Sequence, residues 1–230
     1  MTWSADILTL YPEMFPGPLD KSLSGKALEK GIWNLNIFDL KDYGIGHHKS
    51  VDEKPSGGGP GMILRADVLD SAINDCFKKD RPMIYFSPKG KPLKQETIER
   101  FSKINGVSII CGHFEGIDQR VIDLHDIEEI SVGDYILSGG EIATIVFLDS
   151  LVRLLPNVLG NGDSKKIETF VDGLLEYPQY TKPNEFKGMK IPDILLSGNH
   201  RAIKEWQQNQ SLRLTKLRRP DLITKKKDKI

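Results

Sequence analysis

Short apolar runs alternate with longer segments of helical period along the first 160 residues. The runs have the length of strands, and they predict strands at 5–10, 33–39, 83–87, 107–111 and 127–132. In 66–78 and 94–104, apolar residues recur at spacings of three and four, which predicts two amphipathic helices. Strands that alternate with helices are typical of an α/β fold with a largely parallel sheet.

The most apolar predicted helix covers residues 140–155, from Gly139-Gly140 to the stop at Pro156. Because it is apolar on all sides, we expect it to be central and buried. Residues 161–166 are polar and lose periodicity, so we predict a domain of residues 1–160, a flexible linker at 161–172 and a small helical domain at 173–230. In that last domain Ser197 is the predicted N-cap of a helix with a repeating apolar face of Ile203, Trp206, Gln210, Leu214 and Leu217.

Composition is that of an ordinary globular protein, with 39% hydrophobic and 28% charged residues in 230. No run approaches the roughly 20 apolar residues that cross a bilayer, and no signal-peptide pattern is present, so we expect a cytoplasmic protein without a membrane partner. Two cysteines, Cys76 and Cys111, form neither a disulfide framework nor a zinc pattern, and we interpret both as buried thiols. The five histidines lack ligand spacing, and no metal site is predicted.

The net charge of zero conceals an asymmetry along the chain. Residues 1–160 hold 17 Lys+Arg against 23 Asp+Glu, whereas residues 161–230 hold 15 against 9. In residues 216–230, seven basic side chains face only Asp221 and Asp228. A basic appendage on an acidic body indicates a polyanionic partner, and the alternative is a solvated, frayed C-terminal tail.

Glycine-bearing loops are the candidate sites of chemistry in the first domain. The first, Ser56 to Met62, matches neither a P-loop nor the dinucleotide fingerprint, and a flexible loop explains it best. The second, Cys111 to Asp118, follows an apolar strand, where ligands bind in parallel sheets. Its Glu115 offers a carboxylate to an amine or amide, with a solvated turn carboxylate as the alternative.

The third loop, Val132 to Glu141, runs through Gly139-Gly140 into the apolar helix. Backbone groups exposed here are suited to hydrogen-bonding an adenine, with Ile136 and Leu137 covering its faces. A tight turn between strand and helix is the alternative.

Together and in order, these segments resemble the tRNA (guanine-N1)-methyltransferase family of the SPOUT class. The resemblance covers nearly the whole chain and rests on many short motifs. They are Tyr11-Pro12-Glu13-Met14-Phe15, Val51-Asp52 with 57–62, Ser87-Pro88-Lys89-Gly90, the second and third loops, Val158-Leu159-Gly160, Gly173-Leu174-Leu175, Pro178-Gln179-Tyr180-Thr181, Leu195 to His200 and Leu217-Arg218-Arg219-Pro220.

The resemblance implies a SPOUT-type parallel sheet with a C-terminal trefoil knot, followed by a small all-α domain that binds tRNA. Periodicity does not predict the knot, and knots are rare. The resemblance also implies a homodimer with active sites at the subunit interface, S-adenosylmethionine as methyl donor and, as in some relatives, a possible need for Mg²⁺. It assigns donor binding to Ser87, Pro88, Gly112, Glu115, Gly116, Val132, Gly133, Asp134, Tyr135, Ile136, Leu137, Gly139 and Gly140.

The implied reaction methylates N1 of the guanosine on the 3′ side of the tRNA anticodon. Guanine N1 carries a proton at neutral pH, so the reaction needs a general base and a cation near O6. The resemblance assigns these roles to Glu168 and Arg153. We expect tRNA contacts at Asp52, His200, Arg201, Lys204, Arg218 and Arg219.

Three positions depart from the family pattern. Glu168-Thr169 stand where Asp-Ser is usual, His113-Phe114 where many members have Arg-Tyr, and Ala143 where Pro is common. Three alternatives therefore stay open: an enzyme of this class with another RNA target or atom, an RNA-binding protein without turnover, and an enzyme that binds a small nucleotide.

Overall fold

The computed structural model describes residues 2–159 and 173–227. The chain divides into two compact units, and the first ends at residue 160. Within the first unit, a five-stranded sheet has the order β2-β1-β6-β5-β7, and its neighbouring strands are all parallel. In chain order the strands of this unit are β1 (Trp3–Thr9), β2 (Trp33–Asp39), β3 (Asp52–Glu53), β4 (Ile63–Leu64), β5 (Met83–Pro92), β6 (Gly106–Ile110) and β7 (Glu128–Ser131), of which β3 and β4 form a separate antiparallel pair.

The parallel sheet and its predicted strands are confirmed, with small shifts at their ends. The exception is β5, which continues to Pro92 rather than ending at residue 87. Phe86 and Lys91 both pair with Ile130 of β7, so residues 87–90 bulge out of the sheet between them.

Helices cover both faces of the sheet. They are α1 (Ser22–Glu29), α2 (Ala66–Cys76), α3 (Gln95–Ser102), α4 (Gln119–Leu124) and α5 (Gly140–Val152). Side chains of α3 and α5 pack into the core of one face, and those of α2 and α4 into the core of the other. The helices α2, α3 and α5 were predicted, whereas α1 and α4 are short and were not.

The expectation that the apolar helix α5 is buried on all sides is wrong. Phe147, Leu148 and Leu151 lie in the core, but Ile142 and Val146 on the other side of the helix are each 48% exposed. The helix therefore has a buried apolar face and an exposed apolar face. The sequence cannot distinguish a helix enclosed within one chain from one whose second face is open, because the two have the same composition.

The described residues 173–227 form the second unit. Its helices are α6 (Asp193–Leu196), α7 (His200–Arg218) and α8 (Pro220–Lys227), and it also contains a hairpin of β8 (Glu185–Phe186) and β9 (Met189–Lys190). An all-helical description is therefore incomplete. Thr215, which is fully buried, joins α7 to the preceding chain by accepting a hydrogen bond from the amide of Leu175 at 2.8 Å.

The predicted N-cap of α7 is wrong by two residues. Asn199, not Ser197, precedes the helix, and its side-chain oxygen accepts a hydrogen bond from the Ala202 amide at 3.2 Å. Ser197 ends α6 instead, and its hydroxyl donates to the carbonyl of Ile194. Two residue types that cap helices stand close together here, and the glycine between them (Gly198) allows the chain to turn before α7 begins. The predicted apolar face of α7 is not buried along its whole length, because Leu217 at its end is 75% exposed.

No helix in residues 2–159 or 173–227 is long and apolar enough to span a membrane.

Candidate active site

A cleft of about 280 Å³ opens beside the bulge of β5 and the carboxyl ends of β6 and β7. These three strands lie side by side and run in the same direction, so the bulge of β5 and the segments after the carboxyl ends of β6 and β7 meet at one edge of the sheet. The bulge at 87–90, the loop after β6 and the loop after β7 supply most of the lining. The position is the one at which parallel α/β sheets bind ligands.

The loop after β6 approaches its neighbours closely. A Cβ on Gly112 would lie 2.5 Å from the ring of Tyr85, so glycine is required for the backbone to pass this ring. Phe114 lies in the left-handed backbone region with φ 58°, and its side chain is 52% exposed at the cleft. The ring of Tyr85 on the neighbouring strand β5 and the turn at Phe114 therefore both restrict the backbone conformation of this loop.

The first glycine loop packs against this loop and is not simply a free flexible segment. The amide of Glu115 donates a hydrogen bond to the carbonyl of Met62 at 3.0 Å, and the side chain of Glu115 lies directly on Gly61. The amide of Leu64 likewise donates to the carbonyl of Gly116 at 3.0 Å. Residues 61–64 therefore support the floor of the loop that holds Glu115.

The loop after β7 places apolar side chains over the cleft. Tyr135, Ile136 and Leu137 are 57%, 81% and 37% exposed, and all three line it. Exposure of this extent at neighbouring apolar residues is unfavourable unless a ligand or another surface covers them. The Tyr135 hydroxyl donates to the carbonyl of Val132 at 3.1 Å and closes the loop on itself.

The loops after β6 and β7 cross at two glycines. The amide of Gly140 donates to the carbonyl of Gly112 at 2.9 Å, and His113 forms a β-bridge with Gly139. A Cβ on Gly140 would lie 2.8 Å from the Cα of Cys111, and one on Gly139 would overlap the imidazole of His113. Only residues without a side chain allow the two backbones to approach so closely.

A buried carboxylate lies under this crossing. Glu141, in the first turn of α5, is 1% exposed and accepts a hydrogen bond from the hydroxyl of Thr9 at 2.6 Å. The Nε2 atom of His113 lies 2.8 and 2.9 Å from its two oxygens. Tyr11 contacts the other side of the imidazole, with ring centroids 4.9 Å apart. The Thr9 hydroxyl also accepts from the amide of Tyr11 at 3.0 Å.

Burial also disfavours the ionised form of two groups near the cleft. It raises the pKa of Tyr85 to about 12, with a smaller contribution from the negative charge of Glu129. Burial likewise raises the pKa of the Cys111 thiol well above its usual range. Both groups therefore stay neutral to a higher pH than they would in water. Cys76 is only half-buried, in contrast to the expectation of two buried thiols.

Comparison with known proteins identifies the family. A family model described as tRNA (Guanine-1)-methyltransferase TrmD matches residues 3–225. The chain belongs to this family. Among its relatives, proteins from Gluconobacter oxydans (strain 621H) and Bartonella tribocorum (strain CIP 105476 / IBS 506), each named tRNA (guanine-N(1)-)-methyltransferase, are 55% and 51% identical. The alignments cover 96% of this chain and 95% of the first relative, and 98% and 97% for the second. A protein of the same name from Brucella canis (strain ATCC 23365 / NCTC 10854 / RM-666) is 55% identical over 95% of this chain and 89% of its own length.

In this member of the tRNA (guanine-1)-methyltransferase family, the cleft brings together twelve of the thirteen residues predicted for donor binding. They are Ser87, Pro88, Gly112, Glu115, Gly116, Val132, Gly133, Tyr135, Ile136, Leu137, Gly139 and Gly140. The thirteenth, Asp134, is exposed and does not line the cleft. The lining also includes Tyr85, His113, Phe114 and Ala143, none of which was predicted to bind the donor.

Of the two residues predicted for catalysis, Arg153 does not line the cleft. Arg153 is half-buried at the C-terminal end of α5, the end opposite to the Gly139-Gly140 crossing. Glu168 lies outside the described residues. The described residues contain no group of three or more His, Cys, Asp or Glu side chains that could hold a metal ion.

The residues predicted to contact tRNA are distributed over both units. Asp52 is half-buried in β3 of the first unit. His200 begins α7, and Arg218 ends it. Arg201 pairs with Glu205 at 3.3 Å, Arg219 pairs with Asp221 at 2.8 Å, and Lys204 is exposed.

Sequence reasoning missed the contacts of Glu141, although the residue stands in the third loop. Its only signal was an acidic side chain at the start of an otherwise apolar helix, which is common at helix N-termini and does not predict burial. The partner hydroxyl on Thr9 is 132 residues away in the sequence.

Proposed function

We propose that this protein transfers a methyl group from S-adenosylmethionine to N1 of the guanosine 3′-adjacent to the tRNA anticodon. The observation that carries the proposal is the cleft, which lies beside the β5 bulge and the carboxyl ends of β6 and β7 and is lined by the glycine loops that the family shares. The family membership, which extends over residues 3–225, supports the choice of reaction and substrate.

The cleft fits the proposed donor. The backbone of 132–140 offers amide and carbonyl groups to an adenine, and Ile136 and Leu137 offer apolar cover for its faces. Glu115 is exposed and lines the cleft, where its carboxylate suits the ammonium group of the donor. The donor supplies a methyl group on a positively charged sulfur, which makes that methyl electrophilic.

The remaining chemistry concerns the proton and the charge on guanine. As N1 gains the methyl group, the N1 proton has to leave, and we assign its removal to the carboxylate of Glu168. In this assignment Arg153 stabilises the negative charge that develops on O6. Because Arg153 lies at the end of α5 opposite to the cleft, it would serve the cleft of a second copy of the chain, in a homodimer with its active sites at the subunit interface. Both roles rest on the match of these positions to the family pattern. Glu168 has one methylene more than the usual Asp, so its carboxylate is one carbon farther from its own backbone.

We further propose that the crossing of the loops after β6 and β7 belongs to a trefoil knot. The close approach at Gly112, Gly139 and Gly140 supports this, because two chain segments pass within van der Waals contact at residues that have no side chains.

The exposed apolar face of α5 supports a homodimer. Ile142 and Val146 are half-exposed on a helix that begins at the cleft, and a second copy of the chain would bury them. Sedimentation of the wild type and Val146→Asp tests this proposal. We expect a dimer for the wild type and dissociation for the variant, whereas a monomeric wild type would contradict it.

For the second unit we propose binding to tRNA phosphates through the cations of α7. Arg201 and Arg219 already pair with carboxylates. Lys204, Arg213, Lys216 and Arg218 are exposed and pair with no carboxylate among the described residues. We therefore add Arg213 and Lys216 to the predicted contacts and expect the four unpaired cations to bind RNA more strongly than the two paired ones.

The reaction is tested by transfer of labelled methyl from S-adenosylmethionine to an unmodified tRNA with guanosine after the anticodon. We expect 1-methylguanosine at that position, and a rate lower by about 100-fold or more for Glu168→Gln. Glu99→Gln, an exposed substitution on α3, is the control and should leave the rate unchanged.

Three results would contradict the proposal. A wild type that binds the donor but methylates no tRNA would favour an RNA-binding protein without turnover. Equal rates for wild type and Glu168→Gln would show that Glu168 is not the general base. A tRNA with adenosine at the target should not be methylated, and methylation of it would indicate another atom or target.

A further inference from the structure

The contacts of Glu141 suggest a role that the proposed reaction does not include. The carboxylate is almost completely buried, and burying an unpaired charge is costly. Two side chains from distant parts of the chain offset this cost: Thr9 at the end of β1 and His113 in the loop after β6. We call these three residues the Thr9–Glu141–His113 clasp.

The clasp joins the two loops that form the cleft. His113 belongs to the loop that contains Gly112, Glu115 and Gly116, and Glu141 follows directly on Gly139-Gly140 of the other loop. The imidazole and the carboxylate both lie against Gly139, where a Cβ would overlap His113 and approach Glu141 Oε2 within 2.6 Å. The side-chain contact therefore reinforces the backbone hydrogen bond from Gly140 to Gly112.

Thr9 holds the clasp at a fixed position at the end of β1. It is fully buried at the end of a central strand, and its hydroxyl both donates to Glu141 and accepts from the Tyr11 amide. Neither Thr9 nor Glu141 lines the cleft, whereas His113 does. A change at Thr9 thus reaches a bound donor indirectly, through Glu141 and His113 or through Tyr11, which contacts the imidazole.

We propose that the Thr9–Glu141–His113 clasp positions the two donor-binding loops, and that the hydrogen bond from His113 Nε2 to Glu141 sets donor affinity. The three residues are positioning residues, since they act through the loops. The proposal rests on donor binding in this cleft, as proposed above. It extends that function by assigning a role to His113, which departs from the residue common in the family, and to Glu141 and Thr9.

The test is calorimetric titration of the full-length protein with S-adenosylmethionine. His113→Leu removes the donor to Glu141, and we expect donor affinity to fall at least about tenfold. His113→Gln retains an N–H near the position of Nε2, so it should recover most of that loss. Thr9→Val, which lies outside the cleft, should lower donor affinity about three- to tenfold. In all three variants we expect the affinity for tRNA to remain that of the wild type.

The chain provides a matched control for each substitution. His125 contacts Asp70 through Nε2 at 2.7 Å, and its side chain is 12% exposed, the same as that of His113. Because His125 and Asp70 do not line the cleft, His125→Leu should alter thermal stability without altering donor affinity. Thr215→Val removes an equally buried hydroxyl from the second unit and should also leave donor affinity unchanged.

Several outcomes would overturn the proposal or assign the loss of affinity to another cause. Donor affinity at the wild-type level in folded His113→Leu or Thr9→Val would overturn it, as would a loss in His113→Gln equal to that in His113→Leu. An equal loss in His125→Leu would show that general destabilisation is the cause. If His113→Leu fails to fold, Thr9→Val and His113→Gln carry the test. A wild type that binds no donor would instead overturn the proposed function itself.

Discussion

The cleft of the first unit and the basic helix of the second differ in how they are suited to recognise a ligand. Around the cleft, backbones approach one another at glycines, and the buried carboxylate of Glu141 is fully satisfied by neighbouring side chains. Along α7, the long cationic side chains are exposed, and little else in the described part of the unit restrains them. Shape defines the first region, and charge defines the second.

This difference has consequences for binding. Ligand binding in a preorganised cleft depends on fixed backbone positions, and it is lost when a single atom is added where two backbones are in contact. An exposed row of cations depends on the sum of its charges and loses affinity gradually, with a strong dependence on salt. The two regions should therefore respond to opposite kinds of perturbation.

The largest effect is expected for Gly140→Ala. The added Cβ would lie 2.8 Å from Cys111 Cα and 3.0 Å from the Gly112 amide nitrogen, and because both are backbone atoms, the crossing must open. We expect donor affinity to fall by about 100-fold or more, with a loss of stability of roughly 1–3 kcal/mol from overpacking. Titration with S-adenosylmethionine and thermal unfolding measure both.

Gly58→Ala is the control for this substitution, since a Cβ there meets no atom within 4 Å. Its φ of 83° means that alanine costs roughly 1–2 kcal/mol of backbone strain, without affecting the crossing. A similar donor affinity for the two alanine variants would contradict the role assigned to the crossing.

The next largest effect is expected for simultaneous replacement of Lys204, Arg213, Lys216 and Arg218 by alanine. We expect tRNA affinity to fall about 10- to 100-fold. The plot of the logarithm of the tRNA binding constant against the logarithm of salt concentration should become less steep, by about 0.9 for each phosphate that the variant no longer binds. Filter binding across a salt series measures both quantities. Donor affinity in the same variant should not change, and a fall in it would show that α7 affects the cleft.

These two predictions differ in how far the sequence alone supports them. The loops that line the cleft were predictable, because each follows a strand with clear apolar character and each contains glycines. The clasp was not, since Thr9 and Glu141 are 132 residues apart and nothing local indicates that the carboxylate is buried. The exposed face of α5 was also missed, because an apolar side chain has the same pattern whether its own chain or another surface covers it.

In the second unit, the helix was predictable from its spacing. Its first residue was not predictable, nor was it predictable which of its cations pair with no carboxylate among the described residues. Ser197 and Asn199 are both good N-caps, and only the structure shows which side chain accepts the hydrogen bond. Arg201 and Arg219 were predicted as phosphate contacts from their charge alone. Their pairing with Glu205 and Asp221 depends on side-chain positions that the spacing suggests only in part.

A smaller effect, on stability, is expected at high pH. The pKa of Tyr85 is raised to about 12 by burial, above the 10.0 expected in the unfolded chain. The unfolded state therefore loses this proton first, and stability falls as pH rises from about 10 towards 12. Tyr85→Phe should remove on the order of 2 kcal/mol of that loss at pH 12, while the fall due to other groups, such as Cys111, remains.

Urea unfolding of the wild type and Tyr85→Phe at pH 8 and at pH 11 measures this effect. The free energy of unfolding of the variant, relative to that of the wild type, should be higher at pH 11 than at pH 8. An unchanged difference would mean that the ring is less buried than the structure of the cleft indicates.

The central claim is that the donor is recognised by the shape of the cleft and tRNA by the charge of the second unit. Its most direct test is to measure the dissociation constants of S-adenosylmethionine and of tRNA with the same protein at about 50 and about 200 mM salt. We predict a change of less than about twofold for the donor and a weakening of about 100-fold or more for tRNA. A tRNA affinity that is as insensitive to salt as donor affinity would contradict the account.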